Sequence, residues 1–263
     1  MAVVAPIRVL EAQYRTYRRT WRGSVISTFL QPVLFLTAIG VGLGTLVDDG
    51  AGTSTLPIAY LAFLATGILP ATAMQTGSSD GAWPVMAGFK WRKDYYATIA
   101  TPITVRDLIL GRFGFAAIRL TFVLTIYTII MALFDAVPLW PGVLGIPPAV
   151  LTGLVFTALV TAFTCTLENE IGLANLFRFG IVPLFLFSGT FFPVSQLPDW
   201  LEPLAPLTPL YHGVELVRKL VLSDLEAPLV SATSMWVHLA YLLVVLVIGT
   251  ALAIRFLDRK LLV

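Results

Sequence analysis

The chain has 263 residues, 57% of them hydrophobic and only 12% charged, with a mean hydropathy of +0.87; soluble domains carry about twice that charge, which excludes a water-soluble globular fold. The net charge of +2 excludes little, because the basic residues are sorted by position rather than present in excess. One cysteine, Cys165, excludes an internal disulfide and a cysteine metal cluster, and two histidines, His212 and His238, leave little for a histidine metal site.

Residues 6–22 come first. Ile7, Leu10, Tyr14, Tyr17 and Trp21 recur at three- and four-residue steps and share one helix face. Arginines fill much of the remainder, and Pro6 suits a first helical turn. A basic amphipathic helix with aromatic residues is expected to lie in the plane of the lipid headgroups.

Six apolar runs follow, at about 25–47, 56–79, 108–134, 143–167, 171–192 and 235–257. A bilayer core of ~30 Å needs ~20 apolar helical residues, so each run is expected to span. The first run is too long for the ~7–15-residue core of a cleavable signal, and it is read as a retained anchor. Residues 1–24 are therefore an N-terminal segment and 25–263 a single membrane domain. Gly40 and Gly44 in the first span form a GxxxG, which permits close helix approach.

Orientation follows from Lys and Arg in the short loops. Arg8, Arg15, Arg18, Arg19 and Arg22 precede the first span; Lys90, Arg92, Lys93 and Arg106 lie between the second and third; Arg259 and Lys260 follow the sixth. The loops at 48–55 and 135–142 hold only Asp48, Asp49 and Asp135 as charged residues. Both termini are expected in the cytoplasm of a bacterial cell, with 193–234 outside.

The inside segment 80–107 carries the charged Lys90, Arg92, Lys93 and Asp94, the aromatic Trp91, Tyr95 and Tyr96, and a Thr101–Pro102 break before the third span. It is either a docking knob for another protein or a snorkelling anchor at the interface. In the third span Arg119 falls near the membrane midplane, where a cation costs ~2.5 kcal/mol or more unless it faces protein or water. It is either functional or paired with a carboxylate of a neighbouring span. Arg178, nearer the inner end of span five, is placed to reach Glu170 or to snorkel. Span five is rich in phenylalanine: Phe177, Phe179, Phe185, Phe187, Phe191 and Phe192. Such rings suit a broad apolar binding wall or ordinary packing.

Outside, Leu197, Trp200, Leu201 and Leu204 form one helical stripe, and Leu210, Val214, Val217 and Val221 a second, with Glu215 and Lys219 four apart in the favourable order. Two short amphipathic helices after a span predict a re-entrant hairpin, tolerated at depth only when buried in protein or lining a cavity. Gly77-Ser78-Ser79-Asp80-Gly81 satisfies GxSxG, but a serine nucleophile needs a base within ~3 Å, and both histidines are expected a membrane thickness away.

The stretch ATIATPITVRDLILGR, ending at Arg112, and the stretch FSGTFFPVSQLPDWLEPLAPLTPLYHGVELVRKL, Phe187 to Leu220, resemble the permeases of the ABC-2 type transporter family. The likeness extends over the whole length and is greatest to exporters of nodulation lipooligosaccharides and daunorubicin-like drugs. It implies an all-α membrane protein of six transmembrane helices, with an N-terminal interfacial amphipathic helix, a cytoplasmic coupling helix and a short extracellular re-entrant hairpin, as in type V exporters. It also implies a second permease copy and two separately encoded ABC ATPase subunits that bind ATP and Mg. The loop from Lys90 to Tyr96, with Thr101 and Pro102, would seat in the ATPase, although this chain is basic at 90–93 where many relatives are acidic. Glu168 and Glu170 would add a second cytoplasmic contact. Spans two and five would enclose the substrate path, with Met74, Gln75, Phe185, Phe187, Phe191 and Phe192 as candidate wall residues.

Independently of the likeness, no glycine precedes any of the four lysines, so no GxxxxGK[ST] phosphate loop exists here. The expected function is outward movement of an amphipathic or lipid-like molecule, driven by ATP on a partner, with no nucleic acid involved. The alternatives are a secondary transporter, which would normally carry acidic or histidine residues at depth, and a membrane-embedded enzyme.

Overall fold

The computed structural model describes residues 4–42, 59–222 and 231–262, leaving aside the side chains of 20–29, 31, 32, 40 and 41. Gly44, the loop at 48–55, the first residues of the predicted second span and the side chain of Trp21 lie outside what is described. Every regular element among the described residues is helical. Three of these elements, Val105–Leu133, Leu139–Thr166 and Met235–Leu262, are long and apolar enough to cross a membrane by length and composition.

Helix α1 covers Val4–Phe35 and runs on as a π-helical segment, Leu36–Val41. The predicted interfacial helix and the start of the first span are therefore one element. The expected stripe also splits. Ile7 and Tyr14 are 56% and 53% exposed while Leu10 and Tyr17 are half-buried, and Val9, outside the stripe, is 6% exposed. The cause is a neighbour invisible in the local periodicity: Gly111, on helix α4 (Val105–Leu133), brings the Pro6 carbonyl and Val9 to where a Cβ would sit. Contact with α4 covers the Val9 side of α1.

Helix α2, Tyr60–Met86, continues as a π-helical segment through Trp91. Residues 80–91, expected in a loop, thus extend the helix of the second apolar run. Lys93 then adopts a left-handed conformation (φ 55°), which turns the chain into the short helix α3, Asp94–Ile99. After the Thr101–Pro102 turn, Thr104 and Asp107 form a reciprocal capping box that starts α4: Asp107 N–H donates to Thr104 Oγ1 (3.2 Å) and Thr104 N–H to Asp107 Oδ2 (3.0 Å).

Helix α5 (Leu139–Leu144) leads into α6 (Ile146–Thr166), which packs against α2, α4 and the helices Pro209–Val221 and Met235–Leu262. Its closest partner is α2. A Cβ on Gly77 would overlap the Gly153 carbonyl oxygen, and one on Gly81 would lie 2.7 Å from the Thr157 oxygen. This is small-residue contact of backbone against backbone. Thr164 Oγ1 crosses the interface to the Gly81 oxygen at 3.0 Å.

The fifth apolar run is helical from Ile171 to Phe187, shorter than expected, as α7 (Ile171–Leu176), a π-helical segment (Phe177–Ile181) and α8 (Val182–Phe187). Beyond it, the first expected amphipathic helix is replaced by 3-10 turns at Val194–Gln196 and Glu202–Leu207. Pro198, Pro203 and Pro206 remove the amide donors an α-helix needs. The second, α9 (Pro209–Val221), forms as the pattern predicts, capped by Thr208. It is buried on nearly every side, however, lodged among α2, α6 and α10 (Met235–Leu262).

Gly77→Leu is expected to cost about 3 kcal/mol or more, since overpacking at a rigid backbone contact has no outlet. Gly114→Ala meets only the flexible tip of Leu10, 3.2 Å away, and should leave the melting temperature in detergent unchanged. Thermal unfolding followed by size-exclusion fluorescence compares the two.

Candidate functional site

The α6 helix stops at Thr166, leaving carbonyls that its own amides cannot satisfy. Two lysines from distant parts of the chain bond the carbonyls just past that end. Lys90 Nζ donates to the Glu168 oxygen at 2.8 Å and reaches Glu170 Oε2 at 3.2 Å; Lys260 Nζ donates to the Leu167 oxygen at 2.7 Å and lies 5.1 Å from the centre of the Phe89 ring. Cations at a helix C-terminus also complement its dipole. A bond from its own backbone amide and the Lys90 ammonium hold the Glu170 carboxyl below the usual carboxylate range. The two predicted contact regions, 90–96 and 168–170, are therefore one joined surface.

On that surface Trp91 and Tyr96 are 51% and 41% exposed, and Arg92, Lys93, Asp94, Thr101, Pro102, Glu168 and Glu170 are exposed. Arg92 pairs with Asp94 at 3.3 Å. Tyr95 does the opposite of what an outward knob requires: it is 4% exposed, its ring covers Gly88, and the Arg112 guanidinium stands 5.6 Å from its centroid. Burial pushes its phenol up to about 12. Tyr95 is the anchor of α3, and the exposed residues on either side are what it holds in place.

Arg119 finds its carboxylate on the neighbouring helix. It forms an ion pair with Asp80, whose carboxyl is nearly buried, and Arg112 Nη2 donates to the Asp80 main-chain oxygen at 3.3 Å. Of the two alternatives for Arg119, the geometry supplies the pair. Arg178 instead lies exposed, 5.7 Å from the Phe179 ring, and Glu170 is paired with Lys90. The GxSxG glycines serve the α2–α6 contact, and both histidines lie near the first turn of α10, whereas Lys260 at its other end meets Leu167. At ~1.5 Å per residue those ends are ~30 Å apart.

The candidate wall residues divide. Phe185 packs edge-to-face with Phe191 (4.9 Å) and Phe35 (5.9 Å), Phe187 is exposed, and Phe192 joins Leu197, Ala205 and Tyr211. Met74 is fully buried in the bundle core, and Gln75 beside it is half-buried.

Two features escaped the sequence. Arg218 is 2% exposed, stacked 3.8 Å from the Phe63 ring and donating to the Phe63 oxygen at 3.3 Å. Its spacing, four after Val214, was the available signal. Glu215 and Lys219 do not pair with each other. Glu215 Oε2 accepts from Ser231 N–H at 2.7 Å, and Lys219 Nζ donates to the Ser231 and Thr233 oxygens. Alongside, His212 Nε2–H donates to the Pro206 oxygen (2.9 Å), leaving its Nδ1 to accept from His238 Nδ1–H (2.8 Å).

The ABC-2 type transporter family matches residues 7–222. The chain belongs to the ABC-2 type transporter family. Nodulation protein J of Sinorhizobium fredii is 30% identical over 97% of this chain and 94% of its own length. The proteins of the same name from Rhizobium meliloti (28%, covering 83% and 81%) and Bradyrhizobium diazoefficiens (30%, covering 81% and 80%) are similar too. Membership makes the chain a membrane transport component and implies an ABC ATPase partner.

Asp80→Asn should destabilise the protein by on the order of 2 kcal/mol, because it leaves the Arg119 cation without its counter-charge. Adding Arg119→Met should recover part of that loss in thermal unfolding; simple additivity of the two changes would show that the pair is not coupled.

Proposed function

We propose that this chain is the membrane-spanning subunit of an ATP-driven exporter that carries an amphipathic or lipid-like molecule, such as a drug, lipooligosaccharide or glycolipid, outward across the bacterial cell membrane. In this proposal six helices span, both termini are cytoplasmic, and two copies assemble with two ATPase subunits, which bind ATP and Mg. The observation that carries it is the brace at the α3 end. Exposed Trp91 ends α2 and exposed Tyr96 sits on α3, and beside them Lys90 bonds the Glu168 oxygen just past α6 and Phe89 meets Lys260 of α10.

Force applied to such a knob reaches three long helices at once. α2 runs unbroken from Tyr60 to Trp91, so a push on α3 acts along its whole length and on the close α2–α6 contact. Phe185, Phe187 and Phe191 then form a candidate apolar wall that needs few directional hydrogen bonds, which suits a greasy cargo. Transport follows only if cargo and ATP favour different states of the bundle, since a ligand shifts an equilibrium by no more than its differential affinity.

The test uses the permease co-purified with its ATPase in nanodiscs. Arg92→Glu with Lys93→Glu should reduce permease-dependent ATPase turnover at least tenfold, the order a lost charged docking contact costs, while the permease remains assembled. Lys90 is left intact because it bonds the Glu168 oxygen just past α6. Unchanged stimulation, or labelling of a cysteine at Tyr96 from the outside of intact cells, would refute the docking role.

A further inference from the structure

Between α1 and the α3–α4 corner lies an open cleft of about 750 Å³ whose walls include Arg8, Arg92, Arg112 and Arg119 against two carboxylates, Asp80 and Asp94. Each carboxylate is taken: Asp94 by Arg92, Asp80 by Arg119. Arg8 and Arg112 keep no carboxylate partner among the described residues. Two buried donors on the same walls, the Tyr95 hydroxyl and Arg119 Nε, have no acceptor, and one buried acceptor there, Asp80 Oδ2, has no donor. Buried polar atoms without partners are uncommon in native structures, and four guanidinium groups set against two carboxylates leave the cleft net positive, the complement of an anion.

The cleft does not end there. It shares Tyr17, Phe115 and Arg119 with a second groove of about 380 Å³, which continues along α4 past Ile118 to Phe122. Ile118 and Phe122 are 57% and 49% exposed on the apolar helix. A basic pocket opening into a groove walled mainly by aromatic and aliphatic side chains, with Arg18 on its α1 side, suits a lipid whose charged head lies in the pocket and whose hydrocarbon follows α4. Arginine suits phosphate through paired N–H donors, and basic pockets between membrane helices are a known form of anionic-lipid site.

We propose that this cleft binds an anionic membrane phospholipid, its phosphate between Arg8 and Arg112 and one acyl chain along Phe115, Ile118 and Phe122. The site clamps α1 to α4 through the lipid, adding to the direct contact at Gly111. It stands independently of the direction of transport and of the ATPase contact.

The full chain in detergent, offered equal phosphatidylglycerol and phosphatidylcholine with identical acyl chains, should retain the anionic lipid about tenfold more in native mass spectrometry. Arg8 is exposed and makes no described structural bond, so Arg8→Gln should fold normally and cut that preference to about threefold. Arg8→Gln with Arg112→Gln should remove it, whereas Arg255→Gln, exposed on α10 and outside both cavities, should not. Should the double variant fail to fold, Arg8→Glu alone supplies the reading, with the preference abolished. Ile118→Ser with Phe122→Ser should weaken both lipids and leave their ratio intact. Equal retention of the two lipids by the native chain, full preference in the Arg8 variants, or displacement of the lipid by millimolar inorganic phosphate would each overturn the assignment.

Discussion

The backbone contact between α2 and α6 is the constraint on which the rest depends. Without a hydrophobic drive between helices in lipid, association rests on close packing and hydrogen bonds, and Gly77, Gly81 and Gly153 permit the closest approach in the bundle. With those backbones touching, the next turn of α2 presents Asp80 to α4, where it meets Arg119. Further along, the end of α2 arrives beside the end of α6, where Lys90 caps the Glu168 carbonyl. A shift of one turn, ~5.4 Å, would break both.

The two ends of the bundle answer the same demand for satisfied polar groups in different ways. At the α3 end two carbonyls just past α6, those of Leu167 and Glu168, are met by lysines, one of which, Lys260, lies beside the Phe89 ring, and Trp91 and Tyr96 are left exposed. At the other end α9 enters the bundle and carries its polar residues with it. Glu215 and Lys219 bond the 231–233 connection, the two histidines bond each other, and Arg218 rests on the Phe63 face. The first end therefore offers a surface, and the second closes one off.

The basic cleft sits where these arrangements leave charge unbalanced. The Asp80–Arg119 and Arg92–Asp94 pairs take the two carboxylates that line the cleft, so Arg8 and Arg112 face it without a carboxylate of their own. That imbalance arises from α1 lying along α4, an arrangement that the periodicity of residues 6–22 did not disclose.

Local chemistry alone determined a good deal. The absence of charge over long runs announced the apolar helices, the Thr101–Pro102 break marked the approach to α4, and the stripe at Leu210, Val214, Val217 and Val221 announced α9, because helix period and helix-breaking act within a few residues. The absence of a phosphate loop was likewise a property of the string. Only the tertiary structure decided which carboxylate Arg119 meets, that Tyr95 turns in while Trp91 and Tyr96 turn out, that α9 is enclosed rather than floating, and that Ile7 and Tyr14 are left uncovered. These outcomes depend on which backbone lies opposite. Opposition is set by glycine contacts and buried charges between segments 30 to 150 residues apart, a separation that no local pattern encodes.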